Sequence, residues 1–202
     1  AVMAVAGEDF CVIGGDTRMS YGYSIASRNV SKLHALTDHC VLGSAGMQAD
    51  GVTLRKHLDA KLRQYKIAHK KDMSCTAVAQ TLSTTLYHKR FFPYYTFNVL
   101  GGVDPQGKGA VFGYDAIGSF ERSPYCVTGS GSALITSLLD NQVEFLTQKK
   151  NKKKLSLEET LAIVKDAFSV AGERDIYTGD SVWLAIITKE GTKWEKFELK
   201  KD

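Results

Sequence analysis

Apolar residues follow two rhythms along this chain. The opening run, Ala1-Val-Met-Ala-Val-Ala-Gly7, is small and apolar; Glu8-Asp9 interrupts it, and Phe10-Cys-Val-Ile-Gly-Gly-Asp16 follows. Two short apolar runs around an acidic turn predict a β-hairpin, and the lack of clean polar alternation predicts that it is buried. Residues 17–31 are rich in Ser, Tyr and Gly and predict a loop or irregular strands. Lys32-Leu-His-Ala-Leu36 and Cys40-Val-Leu-Gly-Ser-Ala45 read as a second strand pair about Thr37-Asp38-His39. The rhythm then changes. Leu54, Leu58, Leu62 and Tyr65 recur at helical spacing with charged residues between them, which predicts one long amphipathic helix over 47–70. A second helix over 74–90 carries Val78, Leu82 and Leu86 at four-residue steps, and Pro93 blocks its continuation.

Residues 96–103 and 109–114 predict a strand pair joined by Asp104-Pro-Gln-Gly107, a good turn sequence. An apolar helix follows Gly129-Ser-Gly-Ser132 to about residue 140. Another, over 156–172, opens with the capping box Ser156-Leu-Glu-Glu159. Strands over 181–188 and 192–199 close the chain. The order is strands, two helices, strands, two helices, strands, with short links that favour antiparallel pairing. The expectation is an α+β fold: a four-layer α-β-β-α sandwich, two antiparallel sheets between helix layers. With no dividing linker and no internal repeat, residues 1–202 read as a single domain.

Composition narrows the class. At 202 residues with 44% hydrophobic and 24% charged residues, the chain is expected to build a sizeable core as a soluble globular domain. A net charge of +4 is too mild and too spread for a dedicated nucleic-acid binder, and no apolar run reaches the ~20 residues of a membrane helix. Cys11, Cys40, Cys75 and Cys126 form no C-x-x-C pattern and read as reduced core thiols. His39-Cys40 with nearby His34 has the wrong spacing for a metal site. The basic run from Lys149 to Lys154 reads as a solvated loop rather than an anion-binding tract, because no aromatics interleave it.

What remains is a set of small and charged residues at strand ends and turns. Singly, each has an ordinary explanation: Asp16 capping a loop, Lys32 solvated, a Gly/Ser loop starting a helix. Together, Ala6-Gly-Glu-Asp-Phe10, Asp16-Thr-Arg18, Ser44-Ala-Gly46, Gly129-Ser-Gly-Ser132 and Asp175-Ile-Tyr-Thr-Gly179 resemble the β-type proteasome subunits of the N-terminal-nucleophile hydrolase superfamily, over essentially the whole length. Within that family, Arg90-Phe-Phe-Pro-Tyr-Tyr95, Leu138-Leu-Asp-Asn-Gln142 and Glu173-Arg-Asp-Ile-Tyr-Thr-Gly-Asp180 resemble a non-proteolytic member of the eukaryotic ring.

The resemblance implies a set of roles. Catalytic relatives attack the peptide carbonyl with an N-terminal threonine hydroxyl, using the free α-amine, which titrates near ~8, as base. Asp16 matches the aspartate that pairs with the site lysine, and Lys32 matches that lysine. Gly46 matches the oxyanion glycine and Ser130 the serine of the Gly/Ser loop. Asp175 and Thr178 match the pair that orients the amine, Thr178 replacing a usual serine. The nucleophile's position falls one residue before Ala1. Met47 and Asp180 depart from the catalytic pattern and are expected to alter substrate access and local pKa values. The resemblance thus implies a vestigial shell in a structural subunit that supports ATP- and ubiquitin-dependent proteolysis by neighbours. The alternative is an active threonine endopeptidase with a threonine directly ahead of Ala1. It further implies α and β partner subunits in a 28-subunit, four-ring particle. Polypeptide substrates would occupy the chamber, no cofactor or metal would be needed, and the setting would be cytoplasm and nucleus.

Overall fold

The computed structural model describes residues 1–146, 148 and 153–202. The chain begins with strands β1 (Val2–Ala6), β2 (Phe10–Asp16), β3 (Met19–Tyr21), β4 (Ser24–Ser27), β5 (Leu33–Thr37) and β6 (Cys40–Gly46). Helices α1 (Gln48–His69) and α2 (Cys75–Tyr87) follow, then β7 (Thr96–Val103), β8 (Gly109–Tyr114), β9 (Phe120–Arg122) and β10 (Tyr125–Thr128). Helices α3 (Ser132–Gln142) and α4 (Leu157–Arg174) precede the final hairpin, β11 (Ser181–Thr188) and β12 (Gly191–Glu198).

Two five-stranded sheets form, ordered β10-β1-β2-β11-β12 and β5-β6-β7-β8-β9, and every pairing in them is antiparallel. Three apolar clusters fill the gaps between four layers. Val2, Ala4, Cys11 and Ile13 of the first sheet meet Val41, Val99 and Val111 of the second. Leu54, Leu58, Val78 and Leu82 of α1 and α2 cover the outer face of the second sheet on Leu42, Leu100 and Phe112. Ile135, Leu139, Val164 and Phe168 of α3 and α4 cover the first sheet on Met3, Val12 and Leu184. This layering explains the unbroken apolar runs. Along β1, Val2 and Ala4 point between the sheets while Met3 and Val5 point to the helices, so both faces must be apolar. The four-layer α+β sandwich expected from the sequence is the fold found.

Local chemistry sets the helix ends. Ser74 caps α2 by accepting from the Ala77 N–H at 3.3 Å. The Ser156/Glu159 capping box of α4 closes in both directions. Helix α1 stops at Lys70, whose left-handed φ of 58° turns the chain out. Helix α2 ends at Tyr87 rather than Arg90, because the N–H groups of Lys89 and Arg90 bond three residues back and tighten the last turn. The polar stretch after β2 yields the small ribbon β3-β4, offset by a register shift between Met19 and Ser20. Two short strands, β9 and β10, have no clear signal in the pattern; each gains its place by pairing with a longer strand, β8 and β1 respectively. Most of the basic run, residues 149–152, lies outside the described residues; Lys153 and Lys154 pair with Glu159 and Glu8.

Phe168 sits fully buried over Gly14, where a Cβ would fall 2.6 Å from its ring and 2.7 Å from Leu184. The aromatic ring and the glycine are one packing unit. Phe168→Ala should therefore destabilise the chain by about 3–5 kcal/mol. Phe168→Leu should cost clearly less, as read from chemical-denaturation midpoints of the two variants.

Candidate functional site

One end of the two sheets gathers the residues singled out by sequence. Asp16 closes β2 and is fully buried. Its Oδ1 accepts from Lys32 Nζ at 2.6 Å and from the Ala1 nitrogen at 2.5 Å. Its Oδ2 accepts from the backbone N–H groups of Arg18 at 3.1 Å and Gly179 at 3.4 Å. Lys32 stands just ahead of β5, its side chain 19% exposed. A buried carboxylate is tolerable only with such a set of donors.

A second group meets the same nitrogen. Ser130 Oγ and Thr178 Oγ1 each donate to Asp175 Oδ2 at 2.6 Å, and the Tyr177 N–H donates to Oδ1 at 3.2 Å. Thr178 Oγ1 in turn accepts from the Ala1 nitrogen at 3.4 Å. The result is a continuous chain: Ser130 and Thr178 on Asp175, Ala1 on Thr178 and Asp16, Lys32 on Asp16. Burial pushes the Asp175 carboxyl up, but the Ser130, Thr178 and Tyr177 donors together outweigh it and hold its pKa below the usual range. Carried as a free α-amine, the Ala1 nitrogen is lowered to about 6, first by burial and then by Lys32, against the pull of Asp16.

Gly46 ends β6 at a φ of 108°, and a Cβ there would lie 2.5 Å from the Tyr95 carbonyl oxygen. Only glycine fits both demands. The next residue, Met47, donates its N–H to that same carbonyl at 2.8 Å. A cavity of about 800 Å³ opens beside this strand end, lined in part by Lys32, Gly46, Met47, Arg55, Tyr95 and Ser130. All six sequence-singled residues thus come to one place.

Asp180 needs a correction. Its carboxylate was expected to change access to the site, yet it is fully buried and is not among the residues lining the cavity. Asp180 Oδ2 instead accepts from Arg18 Nε at 2.9 Å, and Oδ1 from Arg28 Nη1 at 2.5 Å. Its backbone sits at a φ of 71°, a conformation that aspartate tolerates better than most residues. Burial raises its pKa, and hydrogen bonds from Arg18 and Arg28 overcome that to leave it lowered. The sequence held both halves of this pair, Arg18 in Asp-Thr-Arg and Asp180 in Gly-Asp, but nothing in either motif joined them across the chain.

Two layers of sheet covered by helices, with a lysine–aspartate pair at the strand ends, define the class. The chain belongs to the proteasome subunit family, whose model matches residues 1–187. It is 52% identical over 204 residues to proteasome subunit beta type-1 of Dictyostelium discoideum, covering 100% of this chain and 86% of that protein. It is 51% identical over 205 residues to proteasome subunit beta type-1 of Oryza sativa subsp. japonica, covering 99% and 93%. A more distant relative, the probable proteasome subunit beta type-6 of Schizosaccharomyces pombe, is 40% identical over 209 residues, covering 99% of this chain and 93% of the relative.

Removing Asp16 leaves Lys32 without its counter-charge in a largely buried position. Asp16→Ala should cost about 3–5 kcal/mol and reduce incorporation into particles, scored by quantifying this chain in purified assemblies. Acid should act on Asp175 and Asp180. The folded-state pKa values of Asp175 and Asp180 are lowered, so their stabilisation is full above the ordinary carboxylate value of about 4 and is lost as pH falls from there through the lower folded values. Asp180→Asn should flatten the acid limb of a stability-versus-pH curve; an unchanged limb would show that Asp180 contributes nothing to it.

Proposed function

We propose that this chain is a non-catalytic structural β subunit of the 20S proteasome core particle. It supports ATP- and ubiquitin-dependent proteolysis by catalytic neighbours. Its partners are α and β subunits in a 28-subunit particle of four rings, and it works in the cytoplasm and nucleus. The proposed setting rests on similarity to beta type-1 subunits over the full chain.

One observation carries the non-catalytic reading. Among the described residues, the hydroxyls of Ser130 and Thr178 are both held by Asp175. Neither bonds to Lys32, whose amine goes to Asp16. Among the described residues the shell therefore has charge and hydrogen bonds in place but no hydroxyl bonded to the lysine, and covalent catalysis requires an activated one. On this reading Asp16, Lys32, Gly46, Ser130, Asp175 and Thr178 are a vestigial shell kept for the packing of strand ends.

A second reading is favoured by the intact Lys32–Asp16 pair: an active peptidase whose threonine stands directly ahead of Ala1. Treatment of purified particles with an electrophilic peptide inhibitor separates the two. Intact-mass analysis should find the adduct on other subunits and none on this chain, and sequencing of the mature N-terminus should find no threonine directly before Ala1. An adduct on its N-terminal peptide would establish the peptidase instead.

A further inference from the structure

Two of the four cysteines meet where the second sheet packs against its helices. Cys40 Sγ donates to Cys75 Sγ at 3.3 Å, and both are buried free thiols. Cys40 is the first residue of β6 and Cys75 the first of α2. A glycine makes the contact possible. Gly102 pairs with Cys40 in the sheet, and a Cβ there would lie 2.5 Å from Cys75 Sγ and 2.3 Å from the His39 carbonyl oxygen. Any side chain on Gly102 would therefore displace the Cys75 sulfur. The other two cysteines sit in a different layer. Cys11 belongs to the cluster between the sheets, against Gly101, and Cys126 packs on that same cluster.

Both sulfurs stand one residue inside the surface. His39, just before Cys40, is exposed, and so are Ser74 and Thr76 on either side of Cys75. Burial pushes the Cys40 thiol up, which keeps the closed pair protonated and reduced. Opening the first turn of a helix is among the least costly motions of a fold, and it removes that penalty. An oxidant the size of water then reaches a pair that bulky reagents do not. To bond, the sulfurs must close from 3.3 Å to about 2.0 Å, a shift within the reach of side-chain rotation and a small movement of one helix end.

We propose that Cys40 and Cys75 are a dithiol oxidation site for small hydroperoxides, closing to a reversible disulfide that staples α2 to β6. One sulfur first attacks an oxygen of hydrogen peroxide; an S–O bond forms as the O–O bond breaks, and the departing hydroxide takes the thiol proton and leaves as water. The second sulfur then attacks the sulfenic sulfur; the S–S bond forms as the S–O bond breaks, and the released hydroxide takes the second proton. Two thiols lose two electrons, one peroxide gains them, and two waters result. The bridge encloses the rest of β6 with Gly46 and the whole of α1, so it tethers the wall of the cavity from the opposite end of the strand. This inference is independent of whether the shell is catalytic.

The test treats purified whole particles with graded hydrogen peroxide, then denatures them in iodoacetamide and maps this chain by mass spectrometry. A Cys40–Cys75 cross-linked peptide pair, lighter by two hydrogens (about 2 Da), should accumulate with dose and vanish with dithiothreitol, while Cys11 and Cys126 stay alkylated. Met47, 52% exposed, serves as an internal gauge of dose through its sulfoxide. In the bridged form, hydrogen exchange over residues 74–79 should slow at least about tenfold and recover on reduction. Cys75→Ser should abolish the cross-link and leave Cys40 alkylated. Full alkylation of both cysteines at doses that oxidise Met47 overturns the proposal. So does a bridge to Cys11, or conversion of either thiol to a sulfinic or sulfonic acid in place of the bridge. Unchanged exchange in the bridged form overturns the staple. The main readouts use the unmodified chain, so a Cys75→Ser chain that failed to fold would leave them decisive.

Discussion

Asp16 is the constraint from which the site end of the molecule follows. A carboxylate with no solvent exposure must be surrounded by donors, and the fold supplies four: one ammonium from the segment ahead of β5, one nitrogen from the head of β1, and two backbone N–H groups from the turns after β2 and before β11. These donors come from widely separated parts of the chain. Satisfying one carboxylate therefore fixes the relative positions of the strand ends in the first sheet and ties them to the edge strand β5 of the second. The neighbouring Asp175 repeats the device on a smaller scale, drawing the loop before α3 and the loop after α4 together through Ser130 and Thr178.

The sandwich supplies the rigidity that such a network needs. Each sheet is covered on both faces, one by its partner sheet and the other by a helix pair. Small residues set the spacing at the points of closest approach. Gly14 yields to Phe168, and Gly101 lets Cys11 and Ile13 of the facing sheet come near, since a Cβ there would lie 3.0 Å from the Cys11 sulfur. With the layers held at fixed separation, the strand ends cannot drift. Side chains that project from them then meet at hydrogen-bond distance without further support.

How much of this could be read from sequence follows from which signals are local. Helices α1, α2 and α4 carry apolar stripes and, in two cases, cap residues, so their existence and starts were legible to within a residue. The doubly buried strands were legible because their runs are apolar and bounded by turns. Strands β9 and β10 were not: each is short and held by pairing with a longer strand, β8 and the distant β1 respectively, and their own residues, such as Phe120-Glu-Arg122, carry no period. The site divides in the same way. Asp16, Lys32, Gly46, Ser130, Asp175 and Thr178 emerged only through resemblance to a family, because no spacing rule links residues at strand ends in different layers. Asp180 shows the opposite limit. Its sequence position suggested a residue at the cavity, and only the three-dimensional pairing with Arg18 and Arg28 explains why an aspartate holds a left-handed turn there.

On the non-catalytic reading, the persistence of the shell has a physical explanation that does not invoke chemistry on a substrate. A buried network cannot be dismantled one residue at a time, because each single loss strands a partner in a low-dielectric site at a cost larger than the pair's net contribution. Asp16, Lys32 and the Ala1 nitrogen are mutually dependent in this sense, as are Asp175, Ser130 and Thr178. Arg55 is free of that dependence. Its guanidinium has no partner among the described residues, so its substitution would leave no stranded charge behind.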